Sequence, residues 1–287
     1  MLYNLKDLSE VAVKNDFSVP AFNISSFEML KGVMDVVDKT DSPVILEIHP
    51  LEIGYLGDEF VSTVREYAMR AKQPVDIHLD HGAEMSDVIR AIRNGYTSVM
   101  IDASKKPFEE NIRITKEVVA IAHSVGVSVE AELGKMGNAV DCKTDDTRSF
   151  FTDPAEAVEF VNATDVDVLA VSIGTAHGLY PKGFVPKLDI ELLETIHSKV
   201  SIPLVIHGGS GNPDSEISEA THHGVGKINI SSDIKSAFFK SLSKTLADNP
   251  AQYEPFQIYP QAVEDMKKVV IHKLTIMNAI GKANLYR

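Results

Sequence analysis

The sequence of 287 residues contains one cysteine, no long apolar run and fewer basic than acidic side chains. Because Cys142 has no partner within the chain, no intrachain disulfide can form, and nothing indicates an oxidising compartment. No segment reaches the ~18 consecutive apolar residues that a membrane-spanning helix needs. The formal net charge of −13 argues against nucleic acid as the main partner, because binding to phosphate backbones requires a surplus of Lys and Arg.

Two further absences bear on location and domain organisation. The N-terminal segment has no continuous apolar stretch of the kind found in signal peptides, so we predict a cytoplasmic protein. No linker rich in Gly, Ser or Pro divides the chain, and no low-complexity tract appears. We therefore expect a single domain over residues 1–287.

Short apolar segments rich in Val and Ile alternate with longer amphipathic segments, a pattern typical of parallel strands covered by helices. The predicted strands are residues 18–23, 42–48, 74–80, 97–102, 127–133, 167–173, 202–208 and 226–232. The predicted helices are residues 27–39, 59–72, 86–94, 108–124, 154–162, 188–198, 214–223 and 233–247. Eight strands are the number that closes a barrel, so the predicted fold is an α/β (β/α)8 TIM barrel.

The helix boundaries carry their own signals. Ser86 is expected to cap its helix, and Pro154 after Asp153 indicates a first turn. An apolar stripe at helical spacing from Val263 to Met277 predicts extra C-terminal helices packed on the barrel or on a second subunit.

Polar residues follow most of the predicted strands. In barrel enzymes the functional side chains lie at the carboxyl ends of the strands and in the loops after them. This rule selects Asn23, Asp80, His81, Asp102, Glu132, His177, His207, Asn229, Ser231, Ser232 and Asp233.

Three histidines in this set, His81, His177 and His207, are expected to converge on one mouth of the barrel. Zn²⁺ favours nitrogen ligands and keeps an open coordination position in catalytic sites, so three imidazoles predict a zinc site. A single histidine is usually structural or solvated, and only the shared end of the barrel favours a metal here. The other histidines are interpreted as structural or exposed, with His49 set apart.

Two carboxylates lie close to these histidines in sequence or in the predicted barrel. Asp80 stands beside His81 at the end of a buried strand, which suits proton transfer better than a simple salt bridge. Glu132 can either orient a histidine or bind the metal itself. The sequence leaves both roles open.

Two glycine- or serine-rich segments follow the seventh and eighth predicted strands, HGGSG at 207–211 and NISSD at 229–233. Barrels often bind phosphate at these two loops through backbone amides and a helix N-terminus. Ser210, Ser232 and the nearby amides are the expected donors, and Gly178 would let the backbone approach closely. The pattern predicts a substrate that carries a phosphate group.

In these segments the sequence resembles the class II, metal-dependent ketose-bisphosphate aldolases, which include fructose-1,6-bisphosphate and tagatose-1,6-bisphosphate aldolases. The shared motifs are VPAFN, HLDHG, SVMIDAS, FEENI, SVEAELG, IGTAHGLY, PLVIHGGSG and KINISSD, in the family's order. The resemblance implies a TIM-barrel aldehyde-lyase of carbohydrate metabolism, as in glycolysis. Such an enzyme reversibly cleaves a ketose 1,6-bisphosphate to dihydroxyacetone phosphate and glyceraldehyde 3-phosphate, and it is expected to be a homodimer or homotetramer.

The resemblance also assigns roles to residues. It implies that His81, His177 and His207 bind zinc, that Glu132 is an alternate ligand, and that Asp102 lies near a second metal position. Asp80 would transfer a proton at the C4 hydroxyl of the sugar. The candidate substrate-binding residues are Asn23, Gly178, Gly208, Gly209, Ser210, Asn229, Ser231 and Ser232, and a monovalent cation, Na⁺ or K⁺, would help to bind the phosphate.

One departure from the family pattern concerns proton transfer. The family usually has a glutamate in the loop after the fifth strand, and Val140 occupies that place here. Either Asp141, or Asp145 or Asp146, replaces it as the second catalytic residue, or the step is altered. The alternatives are an aldolase for a different ketose phosphate and a zinc barrel that binds sugar phosphate without efficient turnover.

Two further departures concern the aldehyde half of the substrate. Glu47 and His49 stand where the family has small or hydroxyl residues, and they are expected to reshape this part of the pocket. The C-terminal segment lacks an arginine that fructose-type members use near the second phosphate, and Lys273 or Lys282 is the expected substitute.

A lysine Schiff base, the alternative to a metal in aldolase chemistry, would need a lysine at a strand end, and none of the predicted strand ends has one.

Overall fold

A closed barrel of eight parallel strands forms the centre of the molecule. The structure is a computed structural model, and it describes residues 1–134, 137–139 and 150–287. The barrel strands are β1 (Val19–Asn23), β2 (Val44–Ile48), β3 (Val75–Gly82), β4 (Ser98–Ile101), β5 (Ser128–Leu133), β7 (Val168–Val171), β9 (Leu204–Ile206) and β10 (Val225–Ile230). Neighbours along the chain pair in parallel, and β1 pairs with β10 to close the barrel. The predicted fold is confirmed, and each predicted strand corresponds to one of these eight.

A second, two-stranded sheet is separate from the barrel sheet. It consists of β6 (Gly137–Asn138) and β8 (Ala176–His177), which pair in parallel with Asn138 opposite His177. Strands of two residues leave no periodic pattern, so the sequence did not predict them. Their pairing holds His177 in place after the sixth barrel strand.

Helices surround the barrel. They are α1 (Leu5–Lys14), α2 (Phe27–Thr40), α3 (Pro50–Leu56), α4 (Asp58–Arg70), α5 (Met85–Asn94), α6 (Phe108–His123), α7 (Pro154–Thr164), α8 (Ile190–His197), α9 (Asp214–Ala220), α10 (Ser232–Asp248), α11 (Pro255–Ile276) and a final 3-10 helix, Lys282–Tyr286. Every predicted helix is present within a few residues, whereas α1 and α3 were not predicted. No helix in the described part of the chain combines the length and apolarity needed to cross a bilayer.

The expected helix starts are partly correct. Asp153 caps α7, because its carboxylate accepts hydrogen bonds from the amides of Ala155 and Glu156. The prediction that Ser86 caps α5 is wrong. The Asp87 carboxylate accepts hydrogen bonds from the Ala83 and Glu84 amides, so the helix begins before Ser86.

Helices near the two termini of the chain pack on the barrel and on its surrounding helices. Helix α1 packs against the barrel strands through the fully buried Leu5 and Leu8, and the Leu5 amide donates to Ser128 Oγ over 3.0 Å. Because Ser128 begins β5, α1 lies at the amino end of the barrel. At the other end of the chain, α10 and α11 pack on each other, and α11 also contacts α2. The predicted C-terminal helices are therefore present, with Met266 and Leu274 fully buried.

Candidate active site

The carboxyl end of the barrel contains a cavity of about 370 Å³. Its wall includes the predicted residues Asn23, Asp80, His81, His177, Gly178 and Gly208. It also includes Ser210, Asn229, Ser231 and Ser232 from the loops after β9 and β10. Most residues selected by the strand-end rule thus meet in one place.

Three histidines converge beside this cavity. The ring centroids of His81 and His207 are 4.6 Å apart, those of His81 and His177 are 4.9 Å apart, and those of His177 and His207 are 6.0 Å apart. One ring nitrogen from each lies within 4.8 Å of the others, a spacing that can hold a metal ion. The predicted three-histidine cluster is therefore assembled by β3, β8 and the end of β9.

His81 has a backbone that helps to direct its ring. Its φ of 49° lies in the left-handed region, which is uncommon for a residue with a side chain. Its Nδ1 is 3.0 Å from Asp102 Oδ2, and its Nε2 is 3.8 Å from Asp80 Oδ1. Burial disfavours the charged ring, but the two carboxylates outweigh this effect and raise the pKa of His81. Backbone strain at such a residue is typical of functional sites.

His207 is fully buried between two glutamates. Its Nε2 is 2.7 Å from Glu130 Oε1, and its Nδ1 is 3.3 Å from Glu132 Oε2. Burial opposes protonation of the ring, but its hydrogen bond with Glu130 and the negative charge of Glu132 raise its pKa to about 10. With Glu130 accepting from Nε2–H, Nδ1 is the nitrogen that would release its proton to bind a metal.

The residues present fit a metal ion. Among the described residues, His207 Nδ1 and Glu132 Oε2 are buried without a hydrogen-bond partner, which is costly unless another group satisfies them. Burial and the nearby His81 and His207 lower the pKa of His177 to about 3, so its ring is neutral and its lone pair is free for coordination. A divalent cation would satisfy these atoms together.

A second group of ligands shares His81 with the first. Ligand atoms of His81, Asp102 and Glu132 also lie within 4.8 Å of one another. Asp102 and Glu132 line a neighbouring cavity of about 300 Å³ that reaches His177. Burial would raise the pKa of Asp102, but hydrogen bonds from His81 and Ser104 hold it well below its usual range. Glu132 belongs to this second group, and its Oε2 is also 3.3 Å from His207 Nδ1 in the first group. It can therefore orient His207 or act as a metal ligand.

Asp80 is a buried carboxylate at the end of β3. Its Oδ2 accepts a hydrogen bond from Asn23 Nδ2 over 2.7 Å, and its Oδ1 accepts one from Asn229 Nδ2 over 3.3 Å. Burial would raise its pKa, but the charges of His81, His207 and Lys227 hold that pKa well below the usual range. Asp80 is thus an ionised proton acceptor held by two amides.

The loops after β9 and β10 form the part of the cavity expected to bind phosphate. Gly208 has a φ of 65°, and a Cβ there would lie 2.4 Å from the Ala176 carbonyl oxygen, so only glycine fits. Ser210 Oγ accepts a hydrogen bond from the Asp233 amide, which joins the two loops. Gly209 does not line the cavity, because its amide turns back to donate to the Asn229 carbonyl over 3.0 Å.

The chain matches the family model of class-II fructose-bisphosphate aldolases over residues 3–282. It belongs to this family. Its barrel, with a metal-type histidine cluster at the carboxyl end, is therefore that of a metal-dependent carbon–carbon lyase.

Solved structures agree with the family assignment. The YdjI aldolase from Escherichia coli K12 is 34% identical with a TM-score of 0.87, and the match covers 99% of this aldolase and 100% of that chain. A putative fructose-1,6-bisphosphate aldolase from Coccidioides immitis is 28% identical with a TM-score of 0.85 over 97% of each chain. The fructose-bisphosphate aldolase of Campylobacter jejuni shares the fold at 22% identity and a TM-score of 0.83, over 98% of this chain and 96% of that chain.

Several expectations for the aldolase need correction. Glu47 does not line the cavity, because it points into the barrel interior, where its Oε1 is 2.8 Å from Lys227 Nζ. Lys273 and Lys282 do not line it either. Lys273 is buried against Asp233, and Lys282 lies over the ring of Phe17.

Other expectations have a different outcome. His49 does line the cavity, and its ring also caps α3 by accepting from the Leu51 amide. Val140, Asp141, Asp145 and Asp146 lie outside the described residues, so the candidate for the second proton transfer stays a prediction.

Sequence reasoning missed a buried polar network inside the barrel of the aldolase. Glu130 Oε2 accepts from Lys227 Nζ over 2.8 Å, while its other oxygen contacts His207. All three side chains have no solvent exposure. The signal was available, because side chains two apart in a strand face the same side. Glu130 therefore faces inward with Glu132, and Lys227 faces inward with Asn229.

Sequence reasoning also missed the outer part of the cavity. Lys235, from the first turn of α10, is its one lysine or arginine within the described chain. Its Nζ is 2.5 Å from Glu52 Oε1 on α3, and Ser25 Oγ donates to the same oxygen. The charge of this lysine is thus balanced by a carboxylate in the same wall.

Proposed function

We propose that this aldolase reversibly cleaves a ketose 1,6-bisphosphate, fructose or tagatose, to dihydroxyacetone phosphate and glyceraldehyde 3-phosphate. The proposed metal is Zn²⁺, and the proposed location is the cytoplasm. One observation carries the proposal: two histidines of the three-histidine cluster, an ionised aspartate and two glycine- or serine-rich loops line a single cavity of about 370 Å³, and His207 completes the cluster beside it.

His81, His177 and His207 are the proposed zinc ligands, with Glu132 as the alternate ligand and Asp102 near a second metal position. Nitrogen-rich clusters of this kind suit zinc, and carboxylates behind the imidazoles fix their orientation. When bound, the metal would supply Lewis acidity that polarises the substrate carbonyl. The histidine positions favour this role, because they are held by Asp102, Glu130 and the β6–β8 sheet.

Asp80 is the proposed base in the cleavage direction. It would take the proton of the C4 hydroxyl as the C4–O bond becomes a carbonyl and the C3–C4 bond breaks. The electron pair of that bond stays on C3, in the half of the substrate that becomes dihydroxyacetone phosphate, and the other half leaves as glyceraldehyde 3-phosphate. Asp141 is the proposed donor of the proton that then reaches C3. The ionised state of Asp80 and its hold by Asn23 and Asn229 support the first step.

The phosphate of the dihydroxyacetone phosphate half is proposed to bind between the loops after β9 and β10. Ser210, Ser231 and Ser232 offer hydroxyls or amides, and Gly178 and Gly208 offer closely approaching backbone. A monovalent cation, Na⁺ or K⁺, is proposed to assist in binding the phosphate, since Lys235 is the one lysine or arginine among the described residues that line the cavity. Asn23 and Asn229 complete the candidate substrate-binding set.

The test is release of dihydroxyacetone phosphate from fructose and tagatose bisphosphates by the purified protein. Activity should disappear with a chelator and return with Zn²⁺, but not return in His81→Ala. A matched control is His272→Ala, because His272 is exposed on α11 and pairs only with Asp214 among the described residues. Activity that survives chelation would refute the metal mechanism.

A second candidate, an aldolase of the same class for a different ketose phosphate, is favoured by the pairing of Lys235 with Glu52. A lysine whose charge is already balanced binds a second phosphate less strongly than a free one. A panel of aldehydes with phosphate, carboxylate or no charge, tested in the condensation direction, separates the two candidates.

A further inference from the structure

We propose that Lys273 of α11 is a positioning residue that sets the affinity of the aldolase for phosphate-bearing ligands. It would do so by joining the two loops that are proposed to bind the phosphate. This inference rests on the proposed function, since it concerns the phosphate part of the same site. Lys273 itself does not line the cavity.

The contacts of Lys273 reach both loops. Its side chain is 5% exposed, and its Nζ is 2.7 Å from Asp233 Oδ2 in the first turn of α10. The same nitrogen is 3.5 Å from the Gly209 carbonyl oxygen in the loop after β9. Lysine is almost never this buried unless it is paired, so the ion pair with Asp233 accounts for the burial of this ammonium group.

Asp233 extends the connection to the residues that face the cavity. Its Oδ2 accepts a hydrogen bond from the Gly211 amide over 3.3 Å, and its own amide donates to Ser210 Oγ over 3.2 Å. Gly208 and Gly211 both have positive φ, and glycines make such a loop free to adopt other conformations. The Lys273–Asp233 pair therefore holds Ser210 and its neighbouring amides in one arrangement.

Charge gives Lys273 a second effect on the same ligand. Asp233 stands next to Ser232, which lines the cavity, and its carboxylate would repel a phosphate there. Lys273 neutralises that carboxylate from behind the loop. Its loss would both loosen the loop and expose the phosphate to an unpaired negative charge.

The experiment compares Lys273→Met with the matched control Lys268→Met. Lys268 belongs to the same helix and also pairs with an aspartate at 2.7 Å, but it is 74% exposed and distant from the loops in the hydrogen-bond network. Dissociation constants of dihydroxyacetone phosphate and inorganic phosphate are measured by calorimetry, and kcat and KM are measured with the bisphosphate.

We expect Lys273→Met to raise both dissociation constants at least about tenfold, the effect of a lost charge-assisted hydrogen bond. The KM should rise by more than kcat falls, and Lys268→Met should change neither. A purely structural lysine would lower the unfolding temperature without this preference for phosphate ligands. Unchanged dissociation constants in Lys273→Met, or equal losses in both variants, would overturn the inference.

The double variant Lys273→Met/Asp233→Asn removes both charges as a unit and guards against a fold too unstable to measure. It should bind phosphate ligands better than Lys273→Met, because no unpaired carboxylate remains, but worse than Lys268→Met. Equality with Lys268→Met would overturn the inference. A wild-type protein that does not bind dihydroxyacetone phosphate would instead refute the proposed function, and the inference with it.

Discussion

Replacing Glu130 with glutamine should weaken metal binding at the histidine cluster, although Glu130 is not a proposed ligand. The carboxylate accepts from His207 Nε2 at 2.7 Å and from Lys227 Nζ at 2.8 Å, with no solvent exposure. It thereby leaves Nδ1 of His207 for the metal. Glutamine keeps the size of the side chain but loses the charge that holds this tautomer and ring orientation.

The size of the effect follows from the contacts. A hydrogen bond to a charged group contributes about 1.5–3 kcal/mol, which corresponds to about 10- to 100-fold in affinity. Loss of a carboxylate behind a metal-binding histidine typically weakens binding by the same factor. The variant should still fold, because Lys227 Nζ keeps its 2.8 Å contact with Glu47 Oε1.

The assay is competition for Zn²⁺ between the metal-free aldolase and a coloured chelator, with thermal unfolding of the metal-free variants as a check on folding. Glu47→Gln is the matched control, because it removes the other carboxylate of Lys227 and leaves the Glu130–His207 contact intact. Zinc affinity that is unchanged in Glu130→Gln, or lowered equally in Glu47→Gln, would refute the reasoning.

Three other predictions concern the acid–base residue, the outer cavity and pH. Asp80→Asn should lower kcat by about 10²- to 10⁴-fold in the dihydroxyacetone phosphate assay while zinc affinity stays near that of wild type, since Asp80 is proposed to move a proton. Lys235→Met should raise KM for the bisphosphate in steady-state kinetics, because Lys235 is the one lysine or arginine in the described cavity wall. The same change should leave the dissociation constant of dihydroxyacetone phosphate unchanged. The metal-free protein should lose thermal stability between pH about 6.5 and about 10, because the native state holds a proton on His207, with its pKa raised to about 10, that the unfolded chain has released. Glu47, whose pKa burial raises from 4.5 to about 8, acts in the same direction between those two pH values.

Each of these predictions has an outcome that contradicts it. For Asp80, the contradiction is a rate near that of wild type with zinc bound. For Lys235, it is a weaker dihydroxyacetone phosphate complex, which would place the lysine at the first phosphate. For the pH profile, a rise in unfolding temperature between neutral and alkaline pH would show that His207 is not protonated in the metal-free state.

The barrel and most of its site were predictable from sequence, because strand alternation and the rule about strand ends are local. Asp80, His81 and Asn229 lie at the carboxyl ends of buried strands, so their position along the chain determined their position in the molecule. The convergence of His177 with His81 and His207 was predicted, but the short β6–β8 sheet that contains His177 was not, since two residues carry no period.

The missed residues depend on contacts that no local pattern records. Glu47 looked like a pocket residue from its place in a motif, yet the closed barrel turns it toward Lys227. Lys273 looked like a ligand for a second phosphate, yet α11 brings it behind the first set of loops. The packing of whole helices and strands decides which side chains pair across long distances in the sequence. The pairing of Lys235 on α10 with Glu52 on α3 depends on such packing as well.

A crystal structure of the aldolase with bound metal and dihydroxyacetone phosphate tests the central claim most directly. We predict one zinc ion held by nitrogens of His81, His177 and His207, with the phosphate between the loops that contain Ser210 and Ser232. A metal bound away from these histidines, or a phosphate beside Lys235 and Glu52 instead, would contradict it.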